Sequence, residues 1–214
     1  MLIEEQQDKK MTNKEKYKQL CEENSDIPLF SQYWWLDAVV MNGSWDVALI
    51  EKNGEVIASM PYYLTKKGLF TCITMPPLTQ TMGPYIKYPD EQKYAKKLSY
   101  EKEMMNGLID QLPKVDYFCQ NFHHSVTNWL PFYWRGFSQT TRYTYVNSNS
   151  QTLEAFQSNI KTDIKKAEKK VQVQSVDSID EIWHCLVKTF ERQKQSPPYK
   201  KILLEQLDQQ ASNR

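Results

Sequence analysis

The sequence contains no Gly-x-Gly, and its six glycines (Gly43, Gly54, Gly68, Gly83, Gly107 and Gly136) are all isolated. A backbone cradle for a pyrophosphate needs clustered glycines so that amide groups can close on the ligand. No such loop is present, so a nucleotide or coenzyme A site has to be built otherwise or lie outside the chain. No apolar run approaches the roughly 18 residues that span a bilayer. The first residues are charged (Glu4, Glu5, Asp8, Lys9, Lys10), which reads against a secretory signal, and Met1 and Met11 both fit as the start. Charge of one sign is also lacking. Lysine plus arginine (27) nearly equals aspartate plus glutamate (26), so a net +1 exerts no global pull on nucleic acid and any basic site is local. This balance, with no aromatic run of the RNA-recognition type, disfavours an RNA-binding module.

Catalytic signatures are equally sparse. Cys-x-x-Cys, His-Glu-x-x-His and Gly-x-Ser-x-Gly are absent. Cys119 with His123 and His124, and the distant His184-Cys185 pair, read as a strand cysteine and loop histidines rather than a zinc site or an activated nucleophile. The four cysteines, Cys21, Cys72, Cys119 and Cys185, are widely spaced in or beside apolar runs. They are expected as buried, reduced thiols of a cytoplasmic protein.

What is present is enough apolar and aromatic character (40% and 13%) for a core, and 214 residues for one large domain or one domain with part of another. Asn13 to Glu23 reads as an amphipathic helix with Tyr17 and Leu20 as its apolar points. Ser31 is expected to cap a second helix, with Trp34, Trp35, Ala38 and Val39 inward and Gly43 ending it. Val47–Glu51 and Val56–Leu64 flank Asn53-Gly54, the preferred centre of a type I′ hairpin. After Lys66-Lys67-Gly68, Leu69–Thr74 completes an antiparallel meander. The segment Pro76–Tyr85 then offers Thr79, Gln80 and Tyr85 as hydrogen-bonding groups, with Gly83 permitting close backbone approach. A long helix over about residues 91–112 follows, with Tyr94, Leu98, Met105, Leu108 and Ile109 as its expected core stripe. Val115–Gln120 reads as a strand, and Ser125–Leu130 as one or two helical turns ended by Pro131.

The stretch from Gly136 to Val176 reads as the unit around which the chain is arranged. Thr140–Val146 has strand character, and Asn147–Ser150 supplies helix caps. A short helix with Leu153 and Phe156 follows. Then Ile160, Ile164, Ala167 and Val171 recur at the helical period, opposite Lys161, Lys165, Lys166, Lys169 and Lys170. Val171–Val176 reads as a second strand. The lysine face is either a solvated helix surface or a contact for phosphate groups. Ser178 with Glu181 reads as a capping box for a helix through Ile182, Leu186 and Phe190, and a last helix lies within Tyr199–Ala211.

Several blocks in order, IPLFSQYWWLDAV, PPLTQTMGPYI, NWLPFYWRGFSQTTRYTYV and NIKTDIKKAEK, resemble the amino-terminal part of FemAB-like proteins. These belong to the GNAT superfamily of N-acetyltransferases and are often described as methicillin-resistance-type proteins. The resemblance covers the chain from about Lys16. A family helix pattern matches at Lys161, Ile164, Lys166 and Ala167, and Thr189–Tyr199 resembles the opening of a second domain. It implies a mixed α/β (α+β) fold: a GNAT-like twisted mixed sheet with an antiparallel meander, flanked by helices. The implied division is an extension over 1–26, a first GNAT-like domain over 27–176, and the initial helices of a truncated second domain over 177–214. Their apolar residues Ile182, Leu186, Phe190, Leu203 and Leu207 would then be exposed and available for association.

The implied activity is transfer of an acyl or aminoacyl group to an amino group of an acceptor such as a cell-wall peptidoglycan precursor. Acyl-CoA or aminoacyl-tRNA would be the donor in the full family member, with no cofactor bound by this chain alone. The alternative is a non-catalytic acceptor-binding fragment whose partner would be the missing carboxy-terminal domain. The candidate binding residues are Gln80, Tyr85, Arg142, Tyr143, Lys161 and Lys165; no metal ligand and no catalytic residue is assigned.

Overall fold

The computed structural model describes residues 11–145, 153–176 and 178–213. Among them it has seven α-helices and a mixed, open sheet of five strands. The chain divides into two compact units: residues 1–138 with 198–214, and residues 139–197. These boundaries differ from the sequence-based division: the first and last helices both belong to the unit that holds the sheet.

That first unit is built on a hairpin. Strands β1 (Ser44–Lys52) and β2 (Glu55–Lys67) pair antiparallel, with a register shift between Ile50 and Glu51. The turn between them places Asn53 and Gly54 at φ 53° and 82°, the left-handed pair that a type I′ turn requires. β2 is long enough to serve two further partners. Its end, Tyr63–Lys67, pairs antiparallel with β3 (Phe70–Thr74), completing the expected meander, while Ala58 and Ser59 pair with β4 (Tyr85–Ile86). β5 (Tyr117–Phe118) lies parallel to β3 and is shorter than the expected Val115–Gln120 strand.

Alternation along β1 divides the core. Trp45, Val47 and Leu49 pack with Tyr17 and Cys21 of α1 (Asn13–Glu23) and Leu36 of α2 (Tyr33–Val39). Ala48 packs on the other side with Met104, Met105 and Leu108 of α3 (Tyr94–Asp110) and Phe132 of α4 (Leu130–Trp134). α1 has the expected bounds, and its entry is fixed by a reciprocal Thr12–Glu15 capping box. α2 starts later than expected, at Tyr33 after a 3-10 turn over Leu29–Ser31; it buries Leu36, Ala38 and Val39 and leaves Trp34 and Trp35 half-buried. The α3 stripe also differs: Tyr94 and Leu98 are exposed, Ile109 is half-buried, and the buried positions are Glu101, Met104, Met105 and Leu108. Pro131 lies in the first turn of α4 instead of ending a helix, because a missing N–H costs nothing there.

β1 is an edge strand, and one side chain closes part of that edge. Gln111, just past α3, donates Nε2 to the Leu49 carbonyl (2.7 Å) and accepts the Leu49 N–H at Oε1 (3.1 Å). Its amide thus imitates a neighbouring strand.

In the second unit, α5 (Ser158–Glu168) and α6 (Ile179–Arg192) form as helices, preceded by a 3-10 turn at Leu153–Ala155. Ser178 caps α6 through the Asp180 N–H. Neither expected strand is present: residues 140–145 and 171–176 have no strand structure, and Val146 and the Asn147–Ser150 caps lie outside the described residues. Tyr143 and Tyr145 are fully solvent-exposed. β-propensity expresses itself only on a surface that packs against neighbours, and among the described residues no ladder partner pairs with these runs. Gly136–Val176 is therefore not the organising element; β2 is.

α7 (Lys201–Ser212) packs along α2, and its Leu203 is buried, contrary to the expected exposure of that residue; Leu207 is half-buried. Ile182 is exposed as expected, whereas Leu186 and Phe190 are half-buried. Cys21 and Cys72 are buried as expected, but Cys119 and Cys185 are exposed, and none of the four forms a disulfide among the described residues. No helix among the described residues is long and apolar enough to cross a membrane.

Two substitutions test this architecture by chemical denaturation. Leu203→Ala is expected to destabilise the first unit by about 2–5 kcal/mol, whereas a helix that merely trails from the domain would give no change. Gln111→Ala is expected to cost about 1–3 kcal/mol by leaving the Leu49 edge groups unpaired.

Candidate functional site

The first unit encloses a cavity of about 300 Å³ between α1, β2, β4, α3 and the 123–128 segment. Its walls form because the chain after β5 continues alongside two partners in turn. Cys119 donates its N–H to Ile73 (2.9 Å); further on, Met82 donates to the Asn121 carbonyl (2.7 Å), and His123 donates to the Met82 carbonyl (2.9 Å). Gly83 makes this approach possible. It has φ 103°, and a Cβ there would stand 2.7 Å from the Phe122 ring.

Glu101 is the chemical centre of the cavity. It projects from the buried stripe of α3 and is only 6% exposed. Tyr88 donates its hydroxyl to Glu101 Oε1 (2.9 Å), and Asn128 donates Nδ2 to Oε2 (2.9 Å). Among the described residues no cation forms an ion pair with this carboxylate. Lys97, one helical turn earlier, lines the same cavity but holds its Nζ 4.3 Å above the centre of the Tyr88 ring. A buried carboxylate without a counter-ion is costly and marks a place where a ligand cation would be welcome. Burial, together with the hydrogen bond to Glu101 and the charge on it, pushes the Tyr88 phenol well above its ordinary range. This favours the protonated phenol, the form that donates to Glu101.

The rest of the lining divides by character. Pro61, Met82, Ile86, Met105 and Val126 form apolar walls, while Asp26, Lys97 and His123 add charge or titratable groups. Burial, and then the neighbouring His124, hold the His123 imidazole below the ordinary histidine range.

The six residues singled out from the sequence are divided between the units. Tyr85 lines the cavity, and its hydroxyl accepts from Asn24 Nδ2 (2.5 Å). Gln80 is exposed and outside the lining; its carbonyl accepts from Asn121 Nδ2 (3.3 Å). In the second unit, Arg142 and Tyr143 are exposed on irregular chain. On α5, Lys161 donates to the Glu154 carbonyl (2.7 Å) and Lys165 is exposed.

No protein-family model matches the sequence, no curated protein matches it, and no solved structure matches its fold. The FemAB-like resemblance therefore rests on the sequence blocks that suggested it.

Glu101, Tyr88 and Asn128 escaped sequence reasoning. A signal did exist: Glu101, Met104, Met105 and Leu108 share the spacing of one helix face, and a carboxylate on an apolar stripe is a functional flag. Tyr88 and Asn128 carry no comparable local mark. A functional rather than structural carboxylate gives a distinct stability signature. Glu101→Gln, which removes the uncompensated charge, is expected to leave the midpoint of thermal unfolding unchanged or raise it by a few degrees; a large fall would make Glu101 a structural residue.

Proposed function

We propose that the first unit binds an acceptor bearing a primary amine, for transfer of an acyl or aminoacyl group to that amine in the manner of the FemAB-like GNAT proteins the sequence resembles. The observation that carries this reading is Glu101, a buried carboxylate that faces a cavity and has no ion-pair partner among the described residues. An ammonium entering the cavity supplies the missing counter-charge, while Met82, Ile86 and Met105 enclose the carbon chain that bears it. Tyr88 and Asn128 hold the carboxylate in place, so little reorganisation is needed on binding.

For transfer, the amine has to lose a proton to a nearby base or to water before attacking the activated carbonyl; backbone amides would stabilise the oxyanion, whose collapse breaks the carbonyl's bond to the donor and releases the coenzyme A thiol or the tRNA hydroxyl. The donor in this proposal is an acyl-CoA or an aminoacyl-tRNA, and the setting is the cytoplasm. The exposed Lys165 and Arg142 of the second unit suit contact with phosphate groups, which both donors and a lipid-linked cell-wall precursor carry.

The test is to incubate the purified chain with each donor and a primary-amine acceptor and to measure acylated amine by mass spectrometry. A transferase gives a product whose yield Glu101→Gln lowers by about 100-fold or more. Saturable, Glu101-dependent amine binding without product assigns the chain the alternative role of holding the acceptor. Neither binding nor transfer would remove both roles.

A further inference from the structure

We propose that His123 is a proton-operated switch on the amine cavity: a neutral ring permits the cationic ligand to bind, and a second proton on the ring expels it. This rests on the amine-binding reading above.

The geometry fixes which nitrogen matters. Nδ1 of His123 accepts the backbone N–H of Ser125 (3.3 Å) and lies 2.8 Å from the Ser125 hydroxyl. A backbone N–H can only donate, so Nδ1 presents its lone pair and the single ring proton sits on Nε2. A second proton has to enter at Nδ1, where it displaces the Ser125 N–H. The turn it disturbs is closed by the Val126 N–H to the His123 carbonyl (2.9 Å) and leads directly to Asn128, the donor that holds Glu101 Oε2. Protonation therefore acts twice against a bound ammonium: it adds a positive charge to the lining, and it loosens the segment that orients the carboxylate.

The other titratable groups lining the cavity are Asp26, Lys97, Glu101, Tyr17, Tyr85 and Tyr88, and the His124 ring packs 4.1 Å from that of His123. Of the lining groups, the histidine is the one whose ordinary chemistry changes charge between about pH 5 and 8. The depressed affinity of His123 for its second proton gives the same direction: the folded cavity favours the neutral ring, and a bound cation favours it further. By linkage, acid weakens the amine and the amine weakens the acid.

The experiment titrates n-butylammonium chloride into the full chain by calorimetry from about pH 8 down to about pH 5, a range in which the amine keeps its proton. The wild-type chain is expected to lose affinity by roughly tenfold, the equivalent of one unit of coupling. His123→Gln should retain the high-pH affinity throughout. In the wild-type chain, the NMR titration midpoint of the His123 ring should fall when the amine is saturating, a readout that needs no variant to fold. A flat wild-type profile, an equal acid loss in His123→Gln, or a midpoint unmoved by the amine would overturn the switch while leaving the amine site standing. No binding at any pH would overturn the amine reading and the switch with it.

Discussion

A strand must satisfy hydrogen-bonding groups on both of its edges, and in β2 that demand falls on thirteen residues. β1 covers one edge from Glu55 to Leu64. The other edge is shared, with β4 taking Ala58 and Ser59 and β3 taking Tyr63 to Lys67. Pro61, which has no N–H to donate, lies between these two pairings, and its carbonyl accepts from Gln120 Nε2 (2.8 Å). Because β3 and β4 meet β2 at different places, the chain that follows β5 can lie beside β3 first and the Met82 backbone next. The cavity is a consequence of that path.

The same arrangement explains why a carboxylate can be buried there. α3 packs on the sheet through Met104, Met105 and Leu108, and Glu101 is one turn earlier on that face. The sheet fixes the helix, and the helix holds Glu101 buried against the cavity. Tyr88, delivered by the chain after β4, and Asn128, delivered by the segment after β5, then converge on its two oxygens. Hydrogen bonds of this kind to a charged acceptor are stronger than neutral ones, but they do not neutralise the charge. The residual cost of an anion with no ion-pair partner among the described residues is the basis for the proposal that the cavity takes a cation. His123 belongs to the same segment as Asn128, so the proposed amine recognition and its proposed response to protons would share one piece of backbone.

The second unit follows a different principle. Its helices form from local signals, namely the Ser178 cap on α6 and the three- and four-residue recurrence of apolar positions on α5 and α6. Neither helix contains a buried residue. Helix periodicity needs no distant partner to produce a helix, whereas a strand does. This is why α5 was legible in the sequence and the runs at 140–145 and 171–176 were misread as strands.

Local chemistry alone determined the type I′ hairpin at Asn53-Gly54, the meander it begins, the bounds of α1 and the existence of α3, because each depends on residues close together in the chain. Tertiary structure decided which face of α3 is buried, that Pro131 opens a helix, that α7 returns to α2, and that Tyr85 lines the cavity while Gln80 does not. It also decided the site itself. Tyr88, Glu101, His123 and Asn128 come from three segments, and their types and spacings acquire meaning only after the sheet has set their distances. The burial of Glu101 against a cavity, with no ion-pair partner among the described residues, is a property of packing that no stretch of sequence contains.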